Sequence, residues 1–110
     1  MSDSEGAMQN APKVREDAVV QLLRENPAFA GEYLTAALEQ ADPANGAAAL
    51  VSALRHVAEA HGMYSVAQCA GIPREGLYRA LAPGGEPSIQ VLLAVLHAAG
   101  LKLTLRKRTA

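Results

Sequence analysis

One stretch, YSVAQCAGIPREGLYRAL (residues 64–81), constrains the fold of this chain more than any other. Two short runs with apolar residues at helical spacing are separated here by Gly71, and Pro73 follows two residues later. A glycine accepts a positive φ, and a proline fits the first turn of a helix. The stretch therefore predicts two short helices joined by a tight turn, the arrangement of a helix-turn-helix.

The side chains of this stretch separate into an inward set and an outward set. Ala67 is small, as a close crossing of two helices requires, and Leu77 is the large apolar anchor of the second helix. The remaining inward positions are also apolar: Val66, Ala70, Ile72, Ala80 and Leu81. The second helix then turns four side chains outward: Arg74, Glu75, Tyr78 and Arg79.

In a helix-turn-helix, this outward face enters the DNA major groove. Arginine bonds guanine edges or phosphates, glutamate accepts from a cytosine amino group, and tyrosine reaches a phosphate or a thymine methyl. The four outward residues are therefore the predicted DNA contacts. The alternative is a helical hairpin that serves packing alone, with the same four residues as a solvated face.

The segments around this stretch also favour helices. Residues 1–12 are polar and unpatterned, and they are predicted to form a disordered leader. Residues 13–110 are predicted to form a single helical domain. Within it, residues 13–61 hold the N-terminal helices, and residues 62–110 hold the helix-turn-helix and the last helix.

Several residues mark the predicted ends of elements. Asn26-Pro27 and Asp42-Pro43 each place a capping residue before a proline, which favours the start of a helix. Ser88 is the predicted N-cap of a last helix whose buried face includes Ile89, Leu92 and Val95. The terminal LKLTLRKR alternates apolar and polar residues and predicts a short strand. The fold class is therefore all-α, with about six helices and a short C-terminal strand.

Composition and missing motifs exclude several classes of protein. Apolar residues make up 50% of the chain, yet no run approaches the roughly 20 needed to span a membrane. Cys69 is the single cysteine, so no internal disulfide can form and a reducing cytoplasm is the expected location. His56, His61 and His97 lack the spacing of metal ligands, and no carboxylate pair or triad stands out. We therefore expect no enzymatic activity, no metal and no cofactor.

The net charge of −1 hides an uneven distribution. Residues 1–61 carry four basic and nine acidic side chains, a balance of −5, whereas residues 62–110 carry six and two, a balance of +4. The second half suits a polyanion and the first half suits a basic partner. Ordinary charge scatter in a short chain is the other interpretation.

Longer segments of the chain resemble a known family. ALRHVAEAHGM, GIPREGLYRAL, GGEPS and LLAVLHAAGLKL are similar to segments of the probable addiction-module antidote proteins. These are HigA-like antitoxins with a lambda-repressor-like helix-turn-helix. NPAFAGEYLTAALEQADP resembles the family's segment just before that core, and the resemblance extends over residues 17–105. Its most specific piece runs from Arg74 to Leu81.

The resemblance implies an antitoxin of a type II toxin-antitoxin module. Such proteins bind a small basic toxin of the RelE/ParE type, which is an mRNA-cleaving ribonuclease in HigB-like members, and they repress their own operon by binding operator DNA. Because one recognition helix makes few contacts, we expect a homodimer on a palindromic operator. The last helix and the LKLTL segment are the expected dimer contacts, since a lone strand has unpaired backbone groups.

Three residues depart from the family's pattern. Pro73 and Gly76 stand where the family usually has serine, which removes a hydroxyl cap, and Glu86 stands where it usually has asparagine. Glu86 also adds an acid close to the expected DNA surface. Two alternative functions stay open: a stand-alone helix-turn-helix regulator without a toxin partner, and a protein-interaction module that has lost DNA binding.

Overall fold

The computed structural model describes residues 16–108, and the predicted all-α class is confirmed within that range. Residues 1–15 and 109–110 lie outside the described residues, so the leader over residues 1–12 and the domain start at residue 13 stay predictions. The described range holds six helices: α1 (described over 16–25), α2 (Phe29–Gln40), α3 (Ala48–His61), α4 (Met63–Ala70), α5 (Arg74–Ala80) and α6 (Ile89–Ala98).

One apolar core is shared by the helices. The helix α3 packs against α2, α4 and α6, and α4 also packs against α5 and α6. The largest fully buried side chains come from four different helices and the residue after α5: Leu54, Val66, Leu77, Leu81 and Val95. Because Leu77 and Leu81 are 0% exposed, α5 is fixed to the core by one side, and its other side is left to solvent.

A partly buried polar cluster joins α1, α2 and α3 to the end of α5. The Arg55 guanidinium donates to the Leu81 carbonyl oxygen (2.8 Å) and to Glu16 Oε1 (3.1 Å). The His56 ring lies between Glu16 Oε1 (3.5 Å) and the Tyr33 hydroxyl (2.5 Å). Since a carboxylate only accepts, Nε2 of His56 donates to Glu16, and in the neutral ring Nδ1 accepts from the Tyr33 hydroxyl. Among the described residues, every fully buried side-chain nitrogen or oxygen has a hydrogen-bond partner.

The cluster also shifts two pKa values. Hydrogen bonds from His56 and from Arg55 hold the pKa of the Glu16 carboxyl below its ordinary value, because they favour the charged form. Burial raises the pKa of the Tyr33 hydroxyl, since the phenolate is poorly solvated there. Both shifts favour the protonation states that the hydrogen bonds require at neutral pH.

The helix starts differ in how well the sequence predicted them. Ser88 caps α6 as predicted, since its Oγ accepts from the Val91 amide (3.1 Å). Asp42-Pro43 does not begin a helix, and that prediction is wrong. Asp42 Oδ1 accepts from the Asn45 amide (2.6 Å), and the backbones of Asp42 and Gly46 pair across the turn. The aspartate is used inside a tight turn, so α3 begins only at Ala48.

The predicted C-terminal strand is not formed, because it has no strand to pair with among residues 16–108. The Leu101 amide donates to the Leu96 carbonyl (2.8 Å) and ends α6, and the Leu101 side chain packs close to Gly31 of α2. Residues 102–108 belong to no helix or strand. Their alternating pattern leaves Leu103 and Leu105 exposed, Leu105 at 97%.

None of the helices between residues 16 and 108 has both the length and the apolar content to cross a membrane.

Candidate nucleic-acid interface

The turn between α4 and α5 has the geometry that its glycine predicted. Gly71 has φ 70° and ψ 31°, in the left-handed region. Its amide donates to the Gln68 carbonyl, and the Ile72 amide donates to the Ala67 carbonyl, both at 3.1 Å. This pair of bonds is a Schellman motif, which satisfies the last carbonyls of a helix and reverses the chain in three residues. The Gly71 conformation therefore sets the direction in which α5 leaves.

The small residue before the turn is buried as predicted. Ala67 is nearly fully buried, as are Val66 and Ala70 on the same side of α4. Ile72 is partly buried and packs against the core. The backbone oxygen of Pro73 accepts from the Leu77 amide (3.1 Å), and α5 therefore begins directly after the proline. Most of the inward set inferred from the sequence therefore belongs to the core, whereas Ala80 is only partly buried.

The structure places the four predicted site residues together on the outer side of α5. Arg74, Glu75, Tyr78 and Arg79 are all exposed, while Leu77 between them is fully buried. Positions 74 and 78, and positions 75 and 79, are four residues apart and so lie on neighbouring ridges of one helix face. The face combines two guanidinium groups with one carboxylate and one phenol. Whether these four residues contact DNA stays a prediction.

Two further residues on α4, which were not predicted from the sequence, belong to the same surface. Tyr64 is exposed, and its hydroxyl accepts a hydrogen bond from Gln68 Nε2 (3.0 Å). Both line a groove with Arg74 and Glu75 of α5. Their spacing of four residues, at positions of α4 outside its apolar face, was the available signal. The Tyr64–Gln68 pair extends the polar surface from α5 onto α4.

Two of the three departures from the family's pattern lie within or just before α5. As the N-cap of α5, Pro73 has an extended backbone (φ −63°, ψ 149°) and makes no side-chain cap. Gly76 lies inside α5, where an added Cβ would be 3.9 Å from Pro73 Cδ. Glu86 follows α5 and is exposed, and it lines a cleft with Ala47 and Val51 at the start of α3.

Comparison with known proteins gives the family of the chain. Residues 13–107 match the family model for "Probable addiction module antidote protein", and the chain belongs to that family. An uncharacterized protein of Haemophilus influenzae is 38% identical over 58 residues, which cover 53% of this chain and 60% of that relative. The chain thus spans less than two thirds of that curated relative. No solved structure matches the chain.

Proposed function

We propose that this antidote protein neutralises a basic toxin of the RelE/ParE/HigB-like type and represses its own operon. In this proposal the protein is not an enzyme. It binds operator DNA as a homodimer, with α4, the Gly71 turn and α5 acting as a helix-turn-helix. Membership of an antidote family supports the existence of a toxin partner in general. The DNA-binding half of the proposal rests on the geometry of α5.

The observation that carries the DNA-binding proposal is the outer side of α5. Arg74, Glu75, Tyr78 and Arg79 are exposed there, above the fully buried Leu77. A helix that is anchored on one side and presents arginines on the other has the form needed to enter the major groove and reach base edges. The Tyr64 hydroxyl and the Gln68 amide lie beside it on α4, the helix that crosses the DNA backbone in such motifs. We assign them to phosphate contacts.

The homodimer follows from the small size of this surface. One seven-residue helix reads few base pairs, and specific affinity at physiological salt requires a larger contact. Two copies with their α5 helices in successive major grooves, about 10 base pairs apart, double the contact and require a palindromic operator.

The toxin-binding side is proposed on α2. Glu32 and Glu39 are exposed on this helix, and the Leu38 side chain beside them is exposed as well. An apolar residue among acids suits a basic protein partner, because the carboxylates raise the association rate and the apolar side chain adds buried area. The balance of −5 over residues 1–61 agrees with this choice.

A mobility-shift assay on the DNA upstream of the gene tests the proposed DNA binding. Wild-type protein is expected to bind this DNA in preference to unrelated DNA of equal length. Arg74→Ala and Arg79→Ala should each weaken binding by about 1–3 kcal/mol if the lost contact is to a base. Arg24→Ala removes the same charge from the exposed side of α1 and serves as the matched control. Equal affinity of all four proteins would refute the assignment of the DNA-binding face.

Co-expression with the product of a neighbouring gene for a small basic protein tests the proposed neutralisation of a toxin. Wild-type antidote is expected to restore growth and to co-purify with that protein. The double variant Glu32→Lys, Glu39→Lys should lose both effects, with the loss greatest at low salt, where charge steering is strongest. Glu86→Lys, which reverses an exposed charge elsewhere, is the control. Full rescue by the double variant with an unchanged complex would refute the α2 assignment.

A further inference from the structure

The last segment that the structure describes, residues 102–108, carries a dense group of positive charges. It contains no acidic residue, and its basic side chains are Lys102, Arg106, Lys107 and Arg108. All seven residues are exposed and belong to no helix or strand. None of the four cations makes a salt bridge with another residue between 16 and 108. The segment therefore offers a charge of +4 to an anionic partner.

The surface of α4 and α5 that is proposed to read DNA has little positive charge of its own. Residues 62–81 carry Arg74 and Arg79 against Glu75, a balance of +1. Basic side chains that neutralise phosphates supply a large share of the affinity for duplex DNA. Two copies of this surface bring a balance of only +2, whereas residues 102–108 add +4 for each chain. Four of the six basic side chains in residues 62–110 thus lie in this segment.

The segment leaves the molecule at the end where α4 begins. The start of α6 lies at the end of α4, where Gln90 donates to the Ala70 carbonyl. The end of α6 lies at the start of α4, since Ala98 lines a cavity with His61, which stands two residues before α4. Tyr64, which we assign to a phosphate contact, is in the first turn of α4. The basic segment therefore starts near the phosphates that α4 is proposed to contact.

The root of the segment is fixed, and the segment is long enough to follow a DNA strand. The Leu101 amide donates to the Leu96 carbonyl (2.8 Å), and the Leu101 side chain packs close to Gly31 of α2. Beyond Leu101, seven exposed residues at about 3.3 Å each extend over roughly 23 Å. The eight residues of α4 extend over only about 12 Å. The segment therefore has the length to contact phosphates beyond those beside α4.

We propose that Lys102, Arg106, Lys107 and Arg108 neutralise DNA phosphates beside those contacted by α4. This inference rests on the proposed function, because it adds a second DNA contact to the same protein. Phosphate contacts carry no sequence information, so the segment should strengthen binding to operator DNA and to unrelated DNA by the same factor. The preference for the operator then comes from α5 alone.

The test measures the affinity of the full chain for two duplexes, the DNA upstream of the gene and an unrelated sequence, between about 50 and 200 mM salt. The variant replaces all four basic residues by glutamine: Lys102→Gln, Arg106→Gln, Lys107→Gln and Arg108→Gln. The slope of log affinity against log salt should become shallower by about 0.9 for each lost contact, or about 3.6 for each bound chain, on both duplexes. The ratio of the two affinities should stay at its wild-type value.

Two controls alter the same segment without changing its charge. Leu103→Gln with Leu105→Gln removes exposed apolar side chains, and Arg106→Lys with Arg108→Lys keeps each positive charge. Both controls should retain the wild-type slope. Because all of these side chains are exposed, the unfolding midpoint of every variant should equal that of the wild type.

The possible outcomes separate this contact from the proposed function. An unchanged slope in the glutamine variant would overturn the inference, and so would the same change in the leucine control. Loss of toxin binding with a wild-type DNA slope would also overturn it, because the segment would then serve the toxin. Wild-type protein that binds both duplexes equally through the four basic residues would instead refute the proposed operator recognition and leave this contact standing. Wild-type protein that binds neither duplex would refute both.

Discussion

Two glycines, one inside α5 and one in the loop after it, are expected to respond in opposite ways to substitution by alanine. Gly85 lies in the loop after α5, where an added Cβ would stand 2.3 Å from the Ala80 carbonyl oxygen and 2.8 Å from the Arg79 carbonyl oxygen. Both contacts are with backbone atoms, which cannot rotate away. Gly76 lies inside α5, and an added Cβ there would stand 3.9 Å from Pro73 Cδ and 4.0 Å from Ile72 Cδ1, at ordinary contact distance.

The expected magnitudes follow from these distances. Gly85→Ala must move the loop or the end of α5 by 0.7 Å to lengthen the closest contact from 2.3 to 3.0 Å. Overpacking of this kind costs about 1–3 kcal/mol. Gly76→Ala should stabilise the protein by about 0.5–1 kcal/mol, because alanine loses less backbone entropy in a helix.

Urea unfolding followed by far-UV circular dichroism measures both effects. The midpoint should fall for Gly85→Ala and rise for Gly76→Ala, with the same dependence on urea concentration in both variants. In a thermal scan each kcal/mol corresponds to roughly 4–8 °C for a domain of this size. Equal or higher stability of Gly85→Ala would show that the loop after α5 does not pack on the last carbonyls of that helix.

Three further substitutions test the turn, the helix crossing and the polar cluster around Glu16. Gly71→Val should lower the unfolding midpoint, since a branched residue is strained at φ 70°; an unchanged midpoint would contradict the turn geometry. Ala67→Leu should cost about 1–3 kcal/mol by overpacking the contact between α4 and α5, and wild-type melting would contradict that contact. Glu16→Gln should destabilise the protein by at most about 1 kcal/mol near neutral pH, because the carboxylate is half exposed. The pKa of Glu16 is lowered by His56 and Arg55, so its stabilisation is present above its ordinary pKa of 4.5 and is lost as pH falls through the folded value. A difference between the two proteins that persists unchanged in acid would contradict the hydrogen bonds to Glu16.

The sequence predicted best those elements that depend on local chemistry. The turn at Gly71 was predicted correctly because few other residues accept a positive φ. The start of α6 was predicted correctly because the Ser88 hydroxyl accepts a hydrogen bond from the nearby Val91 amide. The four outward residues of α5 followed from the spacing of Leu77 and Leu81. These predictions needed only neighbours within a few residues.

The sequence predicted poorly those features that depend on distant parts of the chain. The pattern of LKLTLRKR suggests a strand, yet a strand exists only where another strand offers its backbone, and the described residues offer none. Ile89 continues the apolar pattern of α6, yet its side chain is 75% exposed, because the helix packs on the core through Val91, Ala94 and Val95. The cluster of Glu16, Arg55 and Leu81 joins residues far apart in the chain, so no local sequence pattern could predict it.

The salt dependence of operator binding tests the DNA-binding face most directly. The slope of log affinity against log salt reports the number of phosphates neutralised, at about −0.9 for each contact with duplex DNA. An arginine of α5 that contacts phosphate should, when changed to alanine, make this slope shallower by about 1, whereas one that contacts a base should relax specificity at one position. Arg74→Ala and Arg79→Ala should each show one of these two signatures, and Arg24→Ala should show neither. Wild-type slope and specificity in both α5 variants, or the same change in Arg24→Ala, would contradict DNA binding through α5.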